Sequence, residues 1–428
     1  MTEVLVEENH DLPIVRLTAA LRTGGADDVP ELDGLASFAT ELMARGAAGR
    51  SRMAIDEALD ALGAQLTIHT HHDGAQIEIT ALRDRLDESM ALLCDLLLRP
   101  DFPVDEADKL RREQLAHLDE LREEDSLVAG RFLSSRLFGE HPYGRTLTGT
   151  EATLPRLTAE AGRAWHDRAV RAPGVLFAFA GDLDTDAARR LVATYAADLR
   201  ESDASYSTPY AAPTVRTGTR ITLVDKPERT QSQILLGHVA PDWRDPGFDG
   251  LLVATHVLGG TFTSRLMDEV RAKRGLSYGA GARLGQGRGA KAFVINVFPS
   301  LEQTAETLAL VRQLYNDFCK RGITRDELEF ARANLRESFA FNLATPEDRL
   351  DVRLTSELAG FPPDHLARFP ERVAAVSLEV INEALQRLMR PDDLEIVIVT
   401  TADELRPALE AAGLLEDATV EVVPYDHD

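Results

Sequence analysis

The sequence predicts an α+β protein of two tandem homologous domains, each an antiparallel sheet with helices packed on one face. Three observations lead there. Short alternating apolar runs lie close together, as in "IVRLTAALRTG" and "AQLTIHTHHDGAQIEITAL", and strands so near in sequence pair antiparallel. Segments of helical period follow these runs in groups instead of alternating with them. The same series of blocks then occurs twice. "DGLASFATELM" from Asp33 matches "DGLLVATHVLG" from Asp249, and "IDEALDALGAQLTIHT" from Ile55 matches "LMDEVRAKRGLSYGAG" from Leu266. "FPVDEADKLRREQL" matches "ITRDELEFARANLR", and "APGVLFAFAG" matches "RPDDLEIVIVT", all at a near-constant separation. Between the copies, "ESDASYSTPYAAPTVRTG" (201–218) is rich in Ser, Thr, Pro and Ala and has no period. The domains are therefore expected at 1–205 and 217–428.

Taken in order, the chain opens on a strand pair, "TEVLVEENHDLPIVRLTAAL". The helix "GLASFATELMARG" follows, with Leu35, Phe38, Ala39 and Leu42 as its buried stripe and Ser37, Thr40, Glu41 and Ala44 on another face. A hairpin carries His69 and His71 on one side of its first strand, with Asp73 in phase. "DRLDES" and "DELREED" are solvated helix faces, and "FGEHPYGRTLTGT" is an ordered loop in which His141 and Tyr143 are structural. A buried strand closes the first copy. In the second, "LGQGRGAK" lacks a following helix with Lys-Ser/Thr and is a hairpin turn, not a phosphate loop. Thr324-x-x-Glu327 is a capping box, and Thr345-Pro346 supplies an N-cap with proline at the first helical position.

Composition narrows the function. A 428-residue chain with 44% hydrophobic and 28% charged residues exceeds one ordinary core and is globular. Its 71 acidic against 47 basic residues give a net charge of -24, which disfavours nucleic acid and anionic membranes as partners. No apolar stretch has the length to cross a bilayer, and no signal peptide is present. The chain starts abruptly in a strand, so a trimmed leader, and with it a cytoplasmic or periplasmic location, stays open. Cys94 and Cys319 lie in apolar helical runs and are expected to be buried thiols.

Few residues have the types and spacing that chemistry needs. The face bearing Ser37, Thr40 and Glu41 has one carboxylate and no histidine, too little for a zinc site. His69 and His71 could share a metal only with a third ligand from another element; otherwise they are a polar strand face. In "EVRAKRGLSYGAGA", Gly275 and the basic residues around it are helix-end grammar. Tyr278, alone among small residues, is not explained by it.

Here the chain resembles the pitrilysin/insulinase metallopeptidases. A helix opening "GLA", two strands into the repeat, is similar to the helix that carries their inverted H-x-x-E-H zinc motif. On that resemblance Ser37 and Glu41 replace the two histidine ligands and Thr40 the catalytic glutamate, so no metal is expected in this chain. The third ligand position falls at His117 or Leu118, with Glu113 and Glu120 nearby. "FGEHPYGRTLTGT" resembles the family's "hpyg" segment, and "TSRLMDEVRAKRGLSYGAG" reproduces its Arg/Tyr pattern with Arg271 and Tyr278.

The resemblance implies a non-catalytic, substrate-binding subunit of a heteromeric peptidase. Arg271 and Tyr278 would clamp the peptide carbonyl, and His69 and His71 would line the substrate strand's edge. The first copy carries apolar Leu59 and Leu66 at the matching positions, so the pair belongs to one half only. Zinc is expected in a paralogous partner forming a heterodimer, with self-association of this chain left open. The alternative is a non-enzymatic scaffold like the core proteins of respiratory complexes.

Overall fold

The computed structural model describes residues 3–171, 173–200 and 210–427. It contains two compact units. The strands of the two main sheets are β1 (Glu3–Glu8), β2 (Ile14–Leu21), β3 (Gln65–Thr70), β4 (Ala75–Leu82), β5 (Val175–Gly181), β6 (Thr219–Asp225), β7 (Gln233–Val239), β8 (Ser277–Leu284), β9 (Ala292–Pro299), β10 (Glu395–Thr400) and β11 (Ala418–Pro424). The helices used below are α1 (Leu35–Met43), α2 (Val104–Glu123), α3 (Asp125–Phe138), α4 (Phe248–Gly259), α5 (Arg325–Phe339) and α6 (Pro346–Ala359).

The first unit holds a sheet in the order β1-β5-β2-β4-β3. β2 pairs antiparallel with both β4 and β5, and β1 joins β5 in parallel, so the pairing is mixed. Period-two alternation sorts the side chains. Val15, Leu17, Ala19 and Leu21 of β2 are fully buried on one face, and Ala20 lies on the other with Arg16 and Thr18. That second face is covered by α6, whose Leu350, Leu354 and Leu358 pack on Leu5, Ala20, Leu176, Ala178 and Ala180. Polar pins hold the helix in register. The Arg16 guanidinium binds the Asp351 carboxylate, and Arg353 binds Glu7 at 2.7 Å. Arg22 donates to the Glu357 carbonyl at 2.7 Å. β3 is the open edge of the sheet.

The second unit repeats the plan in the order β8-β9-β7-β10-β6-β11, again with parallel pairs, β10 with β6 and β6 with β11. One face buries Ile234, Leu236, Phe293, Ile295, Ile396 and Ile398. α3 packs against β7 and β10. Lys226, 3% exposed, ties the end of α2 to the start of α3: its Nζ donates to the Arg122 and Glu123 carbonyls at 2.8 and 2.9 Å and to Asp125 at 2.8 Å. Inside this core His238 shares a 2.6 Å hydrogen bond with the Tyr315 hydroxyl. Burial holds that imidazole neutral, with its pKa lowered to about 4.

Neither unit is a contiguous half of the chain. Asp119–Gly144, which includes α3, belongs to the second unit, and Ala340–Leu366, which includes α6, belongs to the first. The division at 1–205 and 217–428 therefore needs this exchange of one helix in each direction. The expected linker at 201–218 begins in 201–209, outside the described residues. Its far end is packed, with Ala211 accepting from His141 Nε2 at 2.8 Å and the Tyr210 ring 5.4 Å from Tyr143. Tyr143 is buried, and its hydroxyl accepts the Gly289 N–H at 3.0 Å. Cys94 and Cys319 are buried free thiols whose pKa values burial pushes up to about 12. The capping box at Thr324 and Glu327 and the Thr345 N-cap both form.

Candidate functional site

Within the first unit, α1 starts at Gly34 and is capped by Asp28, whose two carboxylate oxygens both accept the Ala36 N–H at 3.1 Å. Burial raises the Asp28 pKa to about 7 against the pull of that hydrogen bond and of Arg145. Leu35, Phe38, Ala39 and Leu42 are buried as expected, but so is Thr40. Its hydroxyl contacts the Ala36 carbonyl at 2.8 Å and Thr70 Oγ1, on β3, at 2.9 Å. The Ser37 hydroxyl donates to Glu41 at 3.3 Å. Glu41 also takes a hydrogen bond from Gln114 of α2, and burial raises its pKa despite Arg45 nearby.

These residues do not fit a zinc ion. A zinc site needs three deprotonated N, O or S donors converging on one point. The face offers two hydroxyls engaged with backbone or side chains, and one carboxylate whose neutral form burial favours. The residue that α2 brings to Glu41 is Gln114, whereas His117 is exposed and Leu118 is packed in the core. Among the described residues no cluster of three or more His, Cys, Asp or Glu side chains is arranged to hold a metal.

His69 lies on the open-edge strand β3, exposed with Gln65 and Thr67, while Leu66, Ile68 and Thr70 face inward. The strand ends at Thr70, and His71 opens the turn to β4, its N–H donating to the Gly74 carbonyl at 2.8 Å. The two imidazoles stack with centroids 6.4 Å apart and planes 16° from parallel.

The second unit carries Arg271 and Tyr278, and two backbone irregularities aim them. After α4 and the loop 260–264, the chain winds as a π-helix over Met267–Ala272, with Lys273 N–H bonding the Asp268 carbonyl. Met267 and Val270 point into the core, and Arg271 is half-buried beside them. Gly275, at φ +63°, ends the turn, a conformation open to glycine without strain. β8 then bulges, its register with β9 shifting between Ser277 and Ala280. Side chains satisfy the disturbed ladder: Ser277 Oγ accepts the Phe298 N–H at 3.1 Å, and Met267 sulfur accepts the Ala280 N–H at 3.2 Å. Tyr278, on this edge strand, projects 80% exposed.

The Arg271 guanidinium stands 4.6 Å from the Tyr278 ring centroid and 5.7 Å from that of Phe262, which is 81% exposed. The adjacent cations are already neutralised. Lys273 pairs with Asp268 at 2.7 Å and Glu269 at 2.6 Å, and Arg274 with Glu269, whose pKa these bonds lower. Among the described residues no carboxylate pairs with Arg271 and no acceptor takes the Tyr278 hydroxyl. The result is a stacked, solvent-facing pair of donors suited to a carbonyl or carboxylate oxygen. Phe262 and Gln114 escaped the sequence reading. Phe262 sits in the turn just ahead of the "SRL" block, where an exposed aromatic among threonines was the available signal.

Comparison with known proteins places the molecule. The family model for insulinase (peptidase family M16) matches residues 3–151, and the model for the peptidase M16 inactive domain matches 156–335. The chain belongs to the M16 peptidase family. It is 24% identical over 93% of its length to a "Non-peptidase homolog YmxG" of Helicobacter pylori, covering 91% of that protein. It is 21% identical over 94% of its length to an "Uncharacterized zinc protease YmxG" of Bacillus subtilis, covering 97% of it. Among solved structures, the peptidase M16 inactive domain from Pseudomonas fluorescens superposes with a TM-score of 0.83 at 26% identity, over 92% of this chain and 95% of that one. A Helicobacter pylori protease gives a TM-score of 0.78 at 17% identity over 91% and 95%, a likeness of fold. With its substituted α1 face, the chain matches family members described as a non-peptidase homolog and an inactive domain. Among the described residues no helix is long and apolar enough to cross a membrane.

Proposed function

We propose that this chain is the substrate-binding subunit of a heteromeric zinc peptidase, its Arg271 and Tyr278 holding the peptide carbonyl for a zinc-bearing paralogue. One observation carries the reading: a half-buried guanidinium with no carboxylate partner among the described residues, stacked on an exposed tyrosine, in a chain whose α1 face does not suit zinc. Amide hydrolysis builds negative charge on the carbonyl oxygen, and oriented guanidinium and phenol donors stabilise it as it forms. Zinc and its activated water belong to the partner. β3, an open edge with His69 beside it, would take an extended peptide by strand addition.

The test is reconstitution with a family member that retains H-x-x-E-H. Mixing the two chains gives peptidase activity that neither shows alone, and size exclusion gives a one-to-one complex. Arg271→Ala lowers kcat of the mixture by roughly 10²–10³. Tyr278→Phe keeps the ring stacked under Arg271, so it reads the hydroxyl alone and lowers kcat by about tenfold or more. Full activity in both variants would sink the clamp and leave a scaffold that needs neither side chain.

A further inference from the structure

We infer that Phe262 is the specificity-determining wall of the Arg271 site, which selects peptides carrying an aromatic or long aliphatic side chain next to the carbonyl that Arg271 holds. This inference rests on the clamp reading above and names what the clamp prefers.

Phe262 is, at 81%, the most exposed large apolar side chain among the described residues, with Tyr278 next at 80%. The two rings flank one guanidinium, at 5.7 and 4.6 Å from its central carbon. Neither ring contributes to the core beneath, which Leu266, Met267 and Val270 fill from the same segment. A cation bounded by two aromatic groups has less rotamer freedom left to lose on binding, and its N–H edge stays open to an acceptor. Because Lys273 and Arg274 are neutralised by Asp268 and Glu269, and Arg265 by Glu327, Arg271 is the cation of the segment 262–278 left without a carboxylate partner among the described residues.

An occupant that satisfies the site must do two things at once. It must bring an oxygen acceptor to the guanidinium edge and cover the apolar ring beside it. An extended peptide with an apolar side chain adjacent to its held carbonyl does both. A free carboxylate or a polar peptide meets only the first demand and leaves Phe262 in water. The ring supplies a face for aromatic stacking or aliphatic contact rather than a closed pocket, so the preference is for bulk and apolarity instead of one residue type.

Two fluorescein-labelled decapeptides, identical except for Phe or Ala at a central position, test this by anisotropy with the full chain. The Phe peptide is expected to bind about tenfold tighter, the order of one aromatic contact. Phe262→Ala removes that preference by weakening the Phe peptide about tenfold more than the Ala peptide, and Phe262→Leu restores part of it. Arg271→Ala weakens both peptides by a similar factor. An equal loss for both peptides in Phe262→Ala would overturn the inference, reducing Phe262 to a prop for Arg271 with the clamp intact. If Arg271→Ala changes neither affinity while Phe262→Ala still abolishes the preference, the clamp reading fails and the apolar contact stands. If neither peptide binds the unaltered chain, both fail. Circular dichroism is expected to be unchanged in every variant, because Phe262 and Arg271 both lie outside the packed core.

Discussion

Replacing Leu354 by alanine alters the second half of the sequence and should destabilise the unit built mainly from the first half. Leu354 is fully buried on α6 and packs on the sheet through Leu5, Ala20, Leu176, Ala178 and Ala180. Three of those five are alanines, with no side chain long enough to fill the space a lost leucine leaves. The cavity therefore persists, which puts the cost in the upper part of the range for such substitutions, about 3–5 kcal/mol. For a unit of roughly 200 residues that lowers Tm by about 10 °C. The chain has two tryptophans, Trp165 in the first unit and Trp243 in the second. Trp165 is 1% exposed, so its emission shifts when its surroundings open. In a Trp243→Phe background, the melting midpoint followed at Trp165 should fall by that amount in Leu354→Ala. An unmoved Trp165 transition, or a loss seen only by Trp243 in a Trp165→Phe background, would refute the assignment of α6 to the first unit.

Lys226→Met removes three hydrogen bonds from the junction of α2 and α3 and leaves two carbonyls without their donor, at a cost of about 2–4 kcal/mol read at Trp243. Asp28 has a folded-state pKa raised from 3.8 to about 7, so folding favours its protonated form. Its contribution is then complete below pH 3.8 and is lost as pH rises towards 7, at up to about 1.4 kcal/mol per pH unit. Urea unfolding of Asp28→Asn, set against the unaltered chain, should show that fall flattened; an unchanged pH profile would count against it. The combined change Ser37→His, Thr40→Glu and Glu41→His should hold zinc weakly, and adding Gln114→Glu should raise metal content after dialysis towards one per chain. If His117→Glu completes the site and Gln114→Glu does not, the contact between α1 and α2 is misassigned.

How far the sequence could be read depended on the range of the interactions involved. The repeated blocks, the hairpin of β3 and β4, and the caps at Thr324 and Thr345 rest on neighbours a few residues apart, and pattern exposes those. The destinations of α3 and α6 were not legible. An amphipathic stripe says that a helix is covered, not by which sheet, and the deciding pairs, such as Arg16 with Asp351, join distant parts of the chain. At the candidate site, Arg271 and Tyr278 stood out through the resemblance of "TSRLMDEVRAKRGLSYGAG" to the family's Arg/Tyr pattern, not through spacing alone. The π-helix and the β-bulge that aim them join Met267 in the core to the ladder at Ser277 and Ala280, and local propensity does not reveal such irregularities. Gln114 was missed because it neither ionises nor suits a metal, the two properties that motif reasoning looks for.

The exchanged helices also set a timetable for biosynthesis. When the ribosome has completed β5 at Gly181, every strand of the first sheet exists, yet the helix that covers Leu176, Ala178 and Ala180 is still untranslated. At usual elongation rates α6 emerges roughly 10–40 s later. Throughout that interval the nascent chain presents a bare apolar sheet face, while α3, already made, waits for a second sheet that does not yet exist. The first unit cannot mature until α6 has emerged, so completion of the first repeat is not the event that permits its native folding. Chaperone demand should accordingly peak late in translation, and fragments ending near residue 200 should be degraded or aggregate instead of persisting as free domains.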